Sequence, residues 1–262
     1  MNMLSTALEF RCVSKGFAQP DSRDLQVAIN DVSFNVRKGE FLAIVGPSGC
    51  GKSTILNMTA GLYQPTEGEV YVSGEKVNSP NSHVGFMLQK DLLLPWRNIV
   101  RNVEFGLEAR GMAKDERRTV ALKELKRCHL EEFANHYPYQ LSGGMRQRAA
   151  LARTLAINPD IILLDEPFSA LDAQTKLLLQ QNFGETIMGS GVTTVLITHD
   201  LSEAVFMADR IVVLSERPAN VIEEIVIDLP HRGNLLERRK CPEATDYISR
   251  LFNLLKLEKR AL

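Results

Sequence analysis

Apolar and polar positions alternate along residues 8–38, with Phe10 and Val13, then Val27, Ile29, Val32, Phe34 and Val36 on the apolar phase. A period of two predicts strands, broken by the polar stretch 19–26. Short strands ahead of a parallel core predict an antiparallel sheet added at one edge. Three later runs, 41–45, 161–164 and 192–198, are apolar almost throughout, the pattern of parallel strands buried on both faces. Residues 69–73 and 84–88 read as shorter strands, with a turn at Gly74-Glu75, and 211–214 with 221–229 as a closing hairpin. Between them, residues 98–157 change to helical spacing. Residues 115–130 carry Val120, Leu122, Leu125 and Cys128 amid charges, predicting an amphipathic surface helix. An apolar helix over 149–157 is stopped by Asn158-Pro159. The tail from Pro230 is polar, and its charge run 237–240 predicts a solvated face. A last helix places Ala244, Tyr247, Ile248, Leu251, Phe252 and Leu255 on one stripe, expected to pack on its own domain.

These elements predict an α/β fold. A mostly parallel sheet carries an N-terminal antiparallel β subdomain and a helical subdomain inserted at about residues 90–157. The tail covers about 230–262, and a single domain spans 1–262. Composition narrows the class. The 262 residues are 44% hydrophobic and 24% charged, as in an ordinary globular protein. A net charge of −1 argues against a broad nucleic-acid-binding surface. No run approaches the roughly 18 apolar residues that cross a bilayer. Glu9 and Arg11 stand where a signal peptide needs an apolar core, so an unsecreted chain is expected. Cys12, Cys50, Cys128 and Cys241 form no C-x-x-C pair and fit a reducing compartment.

Candidate chemistry concentrates at strand ends. The run 41–45 leads into Gly46-Pro47-Ser48-Gly49-Cys50-Gly51-Lys52-Ser53-Thr54, and an apolar helical stretch follows, with Gly61 as its terminator. Strand, glycine-rich turn and helix make G-x-x-x-x-G-K-[ST] a phosphate-binding loop. Glycines let successive N–H groups converge on an anion, and the helix start adds its positive end. Lys52 brings a full charge to the β- and γ-phosphates, and Ser53 a hydroxyl for Mg²⁺. Cys50 reads as a small space-filler within the loop.

Gln89 ends the 84–88 strand, placed to reach a metal or a water, or standing as an ordinary polar strand end. Ser142 can cap the helix that Gly143 and Gly144 open, making a second anion site or a plain capped turn. Asp165, at the carboxyl end of its strand, suits Mg²⁺. Glu166 could take a proton from an attacking water. Residues 169–172 open the next helix, and His199 ends the 192–198 strand beside the phosphate loop. Phe17 either stacks on a base or covers a sheet edge.

Taken in order, GPSGCGKST, Gln89, LSGGMRQR, IILLDE, SALD and His199 resemble the ATP-binding cassette ATPases of ABC transporters, over residues 8–229. LSGGMRQR separates that family from other proteins sharing the phosphate loop. The resemblance implies a P-loop NTPase core that binds ATP with Mg²⁺ and hydrolyses it. It implies that Phe17 stacks on adenine, that residues 46–54 hold phosphates, and that Gln89, Ser53 and Asp165 hold the metal. Glu166 is then the catalytic base, His199 the switch histidine, residues 142–145 the signature and Asp172 the D-loop residue. Each site closes between two subunits head to tail, most simply as a homodimer.

LLLPWRNIVRNVEFGLE and VIEEIVIDLP are similar to importer ATPases for nitrate, sulfonate and taurine. That likeness implies a membrane permease docked around residues 92–100, an extracytoplasmic binding protein, and work at the cytoplasmic face of the membrane without nucleic acid. Tyr139 stands where a histidine often precedes the signature, and Cys128-His129 where valine-glycine is usual. An exporter ATPase, or an ABC ATPase of nucleic-acid repair or translation, is the alternative.

Overall fold

A computed structural model describes residues 6–18, 25–169 and 171–255. Positions 19–24 of the predicted polar break, and Ala170 of the 169–172 segment, lie outside the described residues.

The first strands are β1 (Thr6–Ala18), β2 (Leu25–Arg37) and β3 (Phe41–Val45), followed by helix α1 (Lys52–Thr59). Next come β4 (Glu67–Val72), β5 (Glu75–Lys76) and β6 (Val84–Met87). Helices α2 (Ile99–Val103), α3 (Phe105–Ala109), α4 (Lys114–Arg127) and α5 (Gly143–Ala156) then lead to β7 (Ile161–Asp165). The rest alternates: α6 (Ala173–Ser190), β8 (Thr193–Ile197), α7 (Leu201–Met207), β9 (Arg210–Leu214), β10 (Val221–Val226), α8 (Leu235–Arg238) and α9 (Glu243–Leu254).

The main sheet runs β10-β9-β3-β8-β7-β6, parallel except for β10. β3 and β8 are buried at every position, and β7 at its first four, which is why they read as unbroken apolar runs. Because β3, β6, β7 and β8 run the same way, their carboxyl ends share one edge. Residues 46–54, Gln89, Glu166 and His199 all follow those ends.

The antiparallel strands differ from the expectation. β1 and β2 have 13 residues each, so they are long. They form a separate sheet, β2-β1-β4-β5; among the described residues no strand of the main sheet pairs with them, and the one bridge joins Ile29 of β2 to Ala219 in the β9–β10 connection. The inner face of this separate sheet shares one apolar cluster with the main sheet and α1: Leu8, Phe10, Val32 and Phe34 pack with Leu42, Ile44 and Leu163 of the sheet and Ile55 of the helix. The Phe10 and Phe34 rings stack at 4.7 Å. Alternation foretold one buried face but not what would bury it. Gly61 ends α1 as predicted; its φ is 75°, and a Cβ there would lie 2.0 Å from the Ser79 carbonyl oxygen, so no other residue fits.

Two helical expectations also shift. In α4 the buried stripe is Ala121, Leu125 and Cys128, and Leu122 is 39% exposed; spacings of four and three pick that face, and 122 sits one position off it. In the tail, Arg238 is 2% exposed, contrary to a solvated run. Its guanidinium donates to the carbonyls of Phe206, Ala208, Leu229 and Pro230, closing the open C-terminal end of α7. α9 buries Ala244 and Leu251 as predicted, while Phe252 faces outward.

Candidate functional site

After β3 the chain turns back on itself through Gly49 (φ 73°) and Gly51 (φ 123°). A Cβ on Gly51 would lie 3.1 Å from Ile29 Cγ1 and 3.2 Å from the Ala28 oxygen, so β2 closes against the loop. α1 starts at Lys52 with no side chain bonded to its first N–H groups, which leaves them to an anion. Lys52 is 7% exposed. Its Nζ donates to the carbonyls of Gly46 and Pro47, both at 2.9 Å, so the ammonium lies folded over the loop. Ser48, Gly49 and Ser53 are exposed and Thr54 is half-buried. Cys50 is buried and burial pushes its thiol up, as a space-filler requires.

Ser53 Oγ donates to Asp165 Oδ1 at 3.4 Å. Burial pushes the Asp165 carboxyl up, Ser53 pulls it back, and the neighbouring Glu166 charge adds to the rise. Glu166 follows in the left-handed region, φ 47°, with its N–H donating to the Ile197 carbonyl at 2.9 Å. That turn aims its side chain at β8's end, where His199 Nδ1 lies 3.1 Å from Oε2. Ser169 Oγ donates to the Glu166 carbonyl at 2.9 Å and accepts from Gln89 Nε2 at 3.0 Å. Gln147 Nε2 of α5 donates to the Gln89 carbonyl at 3.1 Å. The structure thus brings Lys52, Ser53, Asp165, Glu166, His199 and Gln89 to one edge.

Ser142, Gly143, Gly144 and Asp172 form a second group. Ser142 Oγ accepts from Met145 N at 3.3 Å and caps α5. Asp172 Oδ1 accepts from Thr175 N at 3.0 Å and caps α6; the Thr175 hydroxyl first, and that N–H after it, hold its carboxyl below the ordinary range. Cβ atoms on Gly143 and Gly144 would lie 3.3 Å from Leu171 Cδ2 and 3.1 Å from Thr175 Cγ2, so the two helix starts abut. Among the described residues, Ser142 shares no hydrogen bond with residues 46–54. Phe17 pairs with Gln26 near the strand segment that closes on Gly51, and its ring meets Tyr63 edge-on at 5.6 Å.

No group of three His, Cys, Asp or Glu side chains among the described residues could hold a metal. A hydroxyl, a carboxylate and an amide oxygen beside a phosphate loop instead suit a hard cation that takes its other ligands from phosphate and water.

The ABC transporter family profile matches residues 29–169, more than half of the chain. The chain belongs to the ABC transporter family. It is an ATP-binding ATPase of the ABC type, with the family's α/β P-loop fold. An uncharacterised ABC transporter ATP-binding protein of Methanocaldococcus jannaschii is 45% identical over 88% of this cassette and 85% of its own length. The taurine import ATP-binding protein TauB of Yersinia pestis is 44% identical over 78% of the cassette and 80% of its own length. The nitrate import ATP-binding protein NrtC of Synechococcus elongatus is 41% identical over 90% of the cassette, which spans 36% of NrtC. A dimeric ATP-binding cassette in a post-hydrolysis state with ADP and Pi superposes with a TM-score of 0.71 at 38% identity, over 84% of this chain and 98% of that one.

Sequence reasoning missed two links in the ABC ATPase site, Gln147 and the Ser169 bond to Gln89. Both join residues distant in the chain, and neither has a local pattern that would have marked it.

Proposed function

We propose that this cassette is the ATP-hydrolysing subunit of an importer for a small substrate of the nitrate, sulfonate or taurine kind. It works as a head-to-tail dimer at the cytoplasmic face of the membrane, seated on a separate permease served by an extracytoplasmic binding protein. The sheet core, the helical part at 90–157 and the tail from 230 act as one domain. Phe17 stacks on adenine. Lys52 exchanges the Gly46 and Pro47 carbonyls for the β- and γ-phosphates, and residues 46–54 donate N–H groups. Ser53, Asp165 and Gln89 would hold Mg²⁺, which supplies charge neutralisation at the phosphate oxygens. Glu166 takes the proton of the attacking water, and His199, in contact with it, orients that carboxylate and the γ-phosphate. Ser142, Gly143 and Gly144 offer a second helix N-terminus to the partner's γ-phosphate, with Asp172 beside them. Hydrolysis removes the tie between the two helix starts, and the dimer reopens.

One observation carries the transport reading. Along the chain flanking and following Gln89, Leu88, Leu92, Trp96 and Phe105 are all exposed, Trp96 at 72%. Gln89 reaches Glu166 through Ser169 in two hydrogen bonds. An apolar surface linked by hydrogen bonds to the backbone carbonyl of Glu166 suits a permease better than a nucleic acid, whose docking needs a cationic face. Among the described residues, no helix is long and apolar enough to cross a membrane, so the spanning part is assigned to the partner. The test expresses the chain with the permease encoded beside its gene. Wild type should sediment with membranes, and Trp96→Ala with Leu92→Asp should leave the membrane fraction while keeping ATPase activity in solution. Undiminished membrane association in that double variant would refute the docking surface.

A further inference from the structure

The end of β8 is held from behind by a buried polar ring that the reaction above does not use. Glu203, in the first turn of α7, is 2% exposed. Its Oε2 accepts a short hydrogen bond from the Thr198 hydroxyl. Its Oε1 accepts from Gln180 Nε2 at 2.7 Å and faces Lys176 Nζ at 3.3 Å. Thr198 Oγ1 in turn accepts from Asp200 N at 3.0 Å, so its proton is committed to Glu203. Asp200 closes the ring: Oδ1 accepts from Glu203 N at 3.1 Å and Oδ2 from Lys176 at 2.9 Å. Behind Gln180, Arg239 of the tail donates to its Oε1 at 3.1 Å. The charged groups facing Glu203 are Lys176 on α6, Asp200 at the α7 cap and, one residue removed, Arg239.

His199 sits between Thr198 and Asp200. Its own side chain is 62% exposed, and its one hydrogen-bond-range contact among the described residues is Glu166. Packing therefore does not fix the imidazole, whereas the two residues flanking it are anchored, both ending on Glu203 or on its partner Lys176. We propose that Glu203 is a positioning residue for ATP hydrolysis, holding Thr198 and Asp200 so that His199 meets Glu166, and tying that histidine to the helix that Asp172 starts. This rests on the reading of His199 as a site residue. As a carboxylate, Glu203 accepts from Thr198 and Gln180 and faces the Lys176 ammonium; a neutral amide of the same shape either turns the Thr198 hydroxyl into an acceptor and leaves its proton without a partner, or sets a donor against Gln180 and Lys176.

The experiment uses the full chain with Glu203→Gln, His199→Ala and the double variant. Glu203→Gln should bind a fluorescent ATP analogue with KM and affinity within about twofold of wild type, because residues 46–54 are untouched. Its kcat should fall about 10- to 100-fold, the scale of a small misplacement. On the residual turnover of His199→Ala, Glu203→Gln should cost nothing more, since both act through one group. In proton–carbon spectra of the histidine rings, the His199 signal, assigned by its loss in His199→Ala, should move in Glu203→Gln while the other four of five histidines stay put. Thr198→Val, which puts a methyl in place of the hydroxyl and leaves Glu203 itself unchanged, should reproduce both effects and serves if Glu203→Gln does not fold. An unchanged kcat, an equal loss in both backgrounds, or an unmoved His199 ring overturns the proposal. Normal turnover in His199→Ala would instead sink the role of His199, and the ring signal would then decide the hold of Glu203 alone.

Discussion

Glu166→Gln separates chemistry from binding. Losing a positioned general base costs about 10² to 10⁴ in rate, or roughly 2.7–5.4 kcal/mol of barrier. Nothing else in the site should suffer. Glutamine keeps the length that reaches His199 at 3.1 Å, and the backbone bond to Ile197 is unaffected. Lys52, Ser53 and Asp165 make no hydrogen bond to the Glu166 side chain. The Glu166 charge also helps push the Asp165 carboxyl up, so neutralising it leaves Asp165 a better anion and MgATP bound equally or more tightly. Fold stability should hold too. The left-handed φ of 47°, worth about 1–2 kcal/mol of strain, is the same for glutamine as for glutamate. Phosphate release measures turnover, and size-exclusion with MgATP measures the closed dimer, which should accumulate. Turnover within about tenfold of wild type would remove Glu166 from the role of base. Loss of nucleotide binding together with turnover would mean that Glu166 organises the phosphate site.

A shared site predicts complementation. Lys52→Ala should lose ATP, and Ser142→Arg should keep ATP as a monomer yet fail to close. Mixed, about half of the dimers combine the two, leaving at most about a quarter of wild-type sites whole, so ATP-dependent closure should reappear; its absence despite verified subunit exchange would refute sharing. Thiol labelling tests burial. Burial pushes the Cys128 thiol to about 12, so at pH 8 only about 10⁻⁴ of it is thiolate. Exposed Cys12 should therefore label in the native protein and Cys128 only on unfolding. Labelling of Cys128 at the rate of Cys12 would contradict its place in the core.

The parts of this cassette legible in the sequence are those that a strand and the turn after it specify together. β3, residues 46–54 and α1 are contiguous, so apolar run, glycines and Lys52 declare strand, loop and helix at once. Gln89, Glu166 and His199 could be found for the same reason, each following an apolar strand whose carboxyl end faces the site. What joins them could not. Ser169 reaches Gln89 across 80 positions, Gln147 reaches it from α5, and Glu203 reads as an ordinary charge in a helical turn. Arg238 misled for a related reason: its acceptors are backbone carbonyls, which no side-chain pattern reveals. The antiparallel sheet was visible as strands, but its partner surface is the main sheet's face, which carries no mark of its own.

The order of the main sheet also sets a timetable for synthesis. β3 has β8 and β9 as its neighbours, with Phe41 paired to Thr194 and Val45 to Val213. When residues 46–54 leave the ribosome, neither flanking strand yet exists. At about 5–20 residues per second, the phosphate loop waits on the order of ten seconds for the strands that will anchor it. The antiparallel sheet, by contrast, has most of its pairings within its first 76 residues and can assemble while the rest is being made. ATP competence therefore arrives late in translation, and a nascent chain stalled between the end of the loop and the start of β8 has its loop sequence complete but neither neighbouring strand of β3 to hold it.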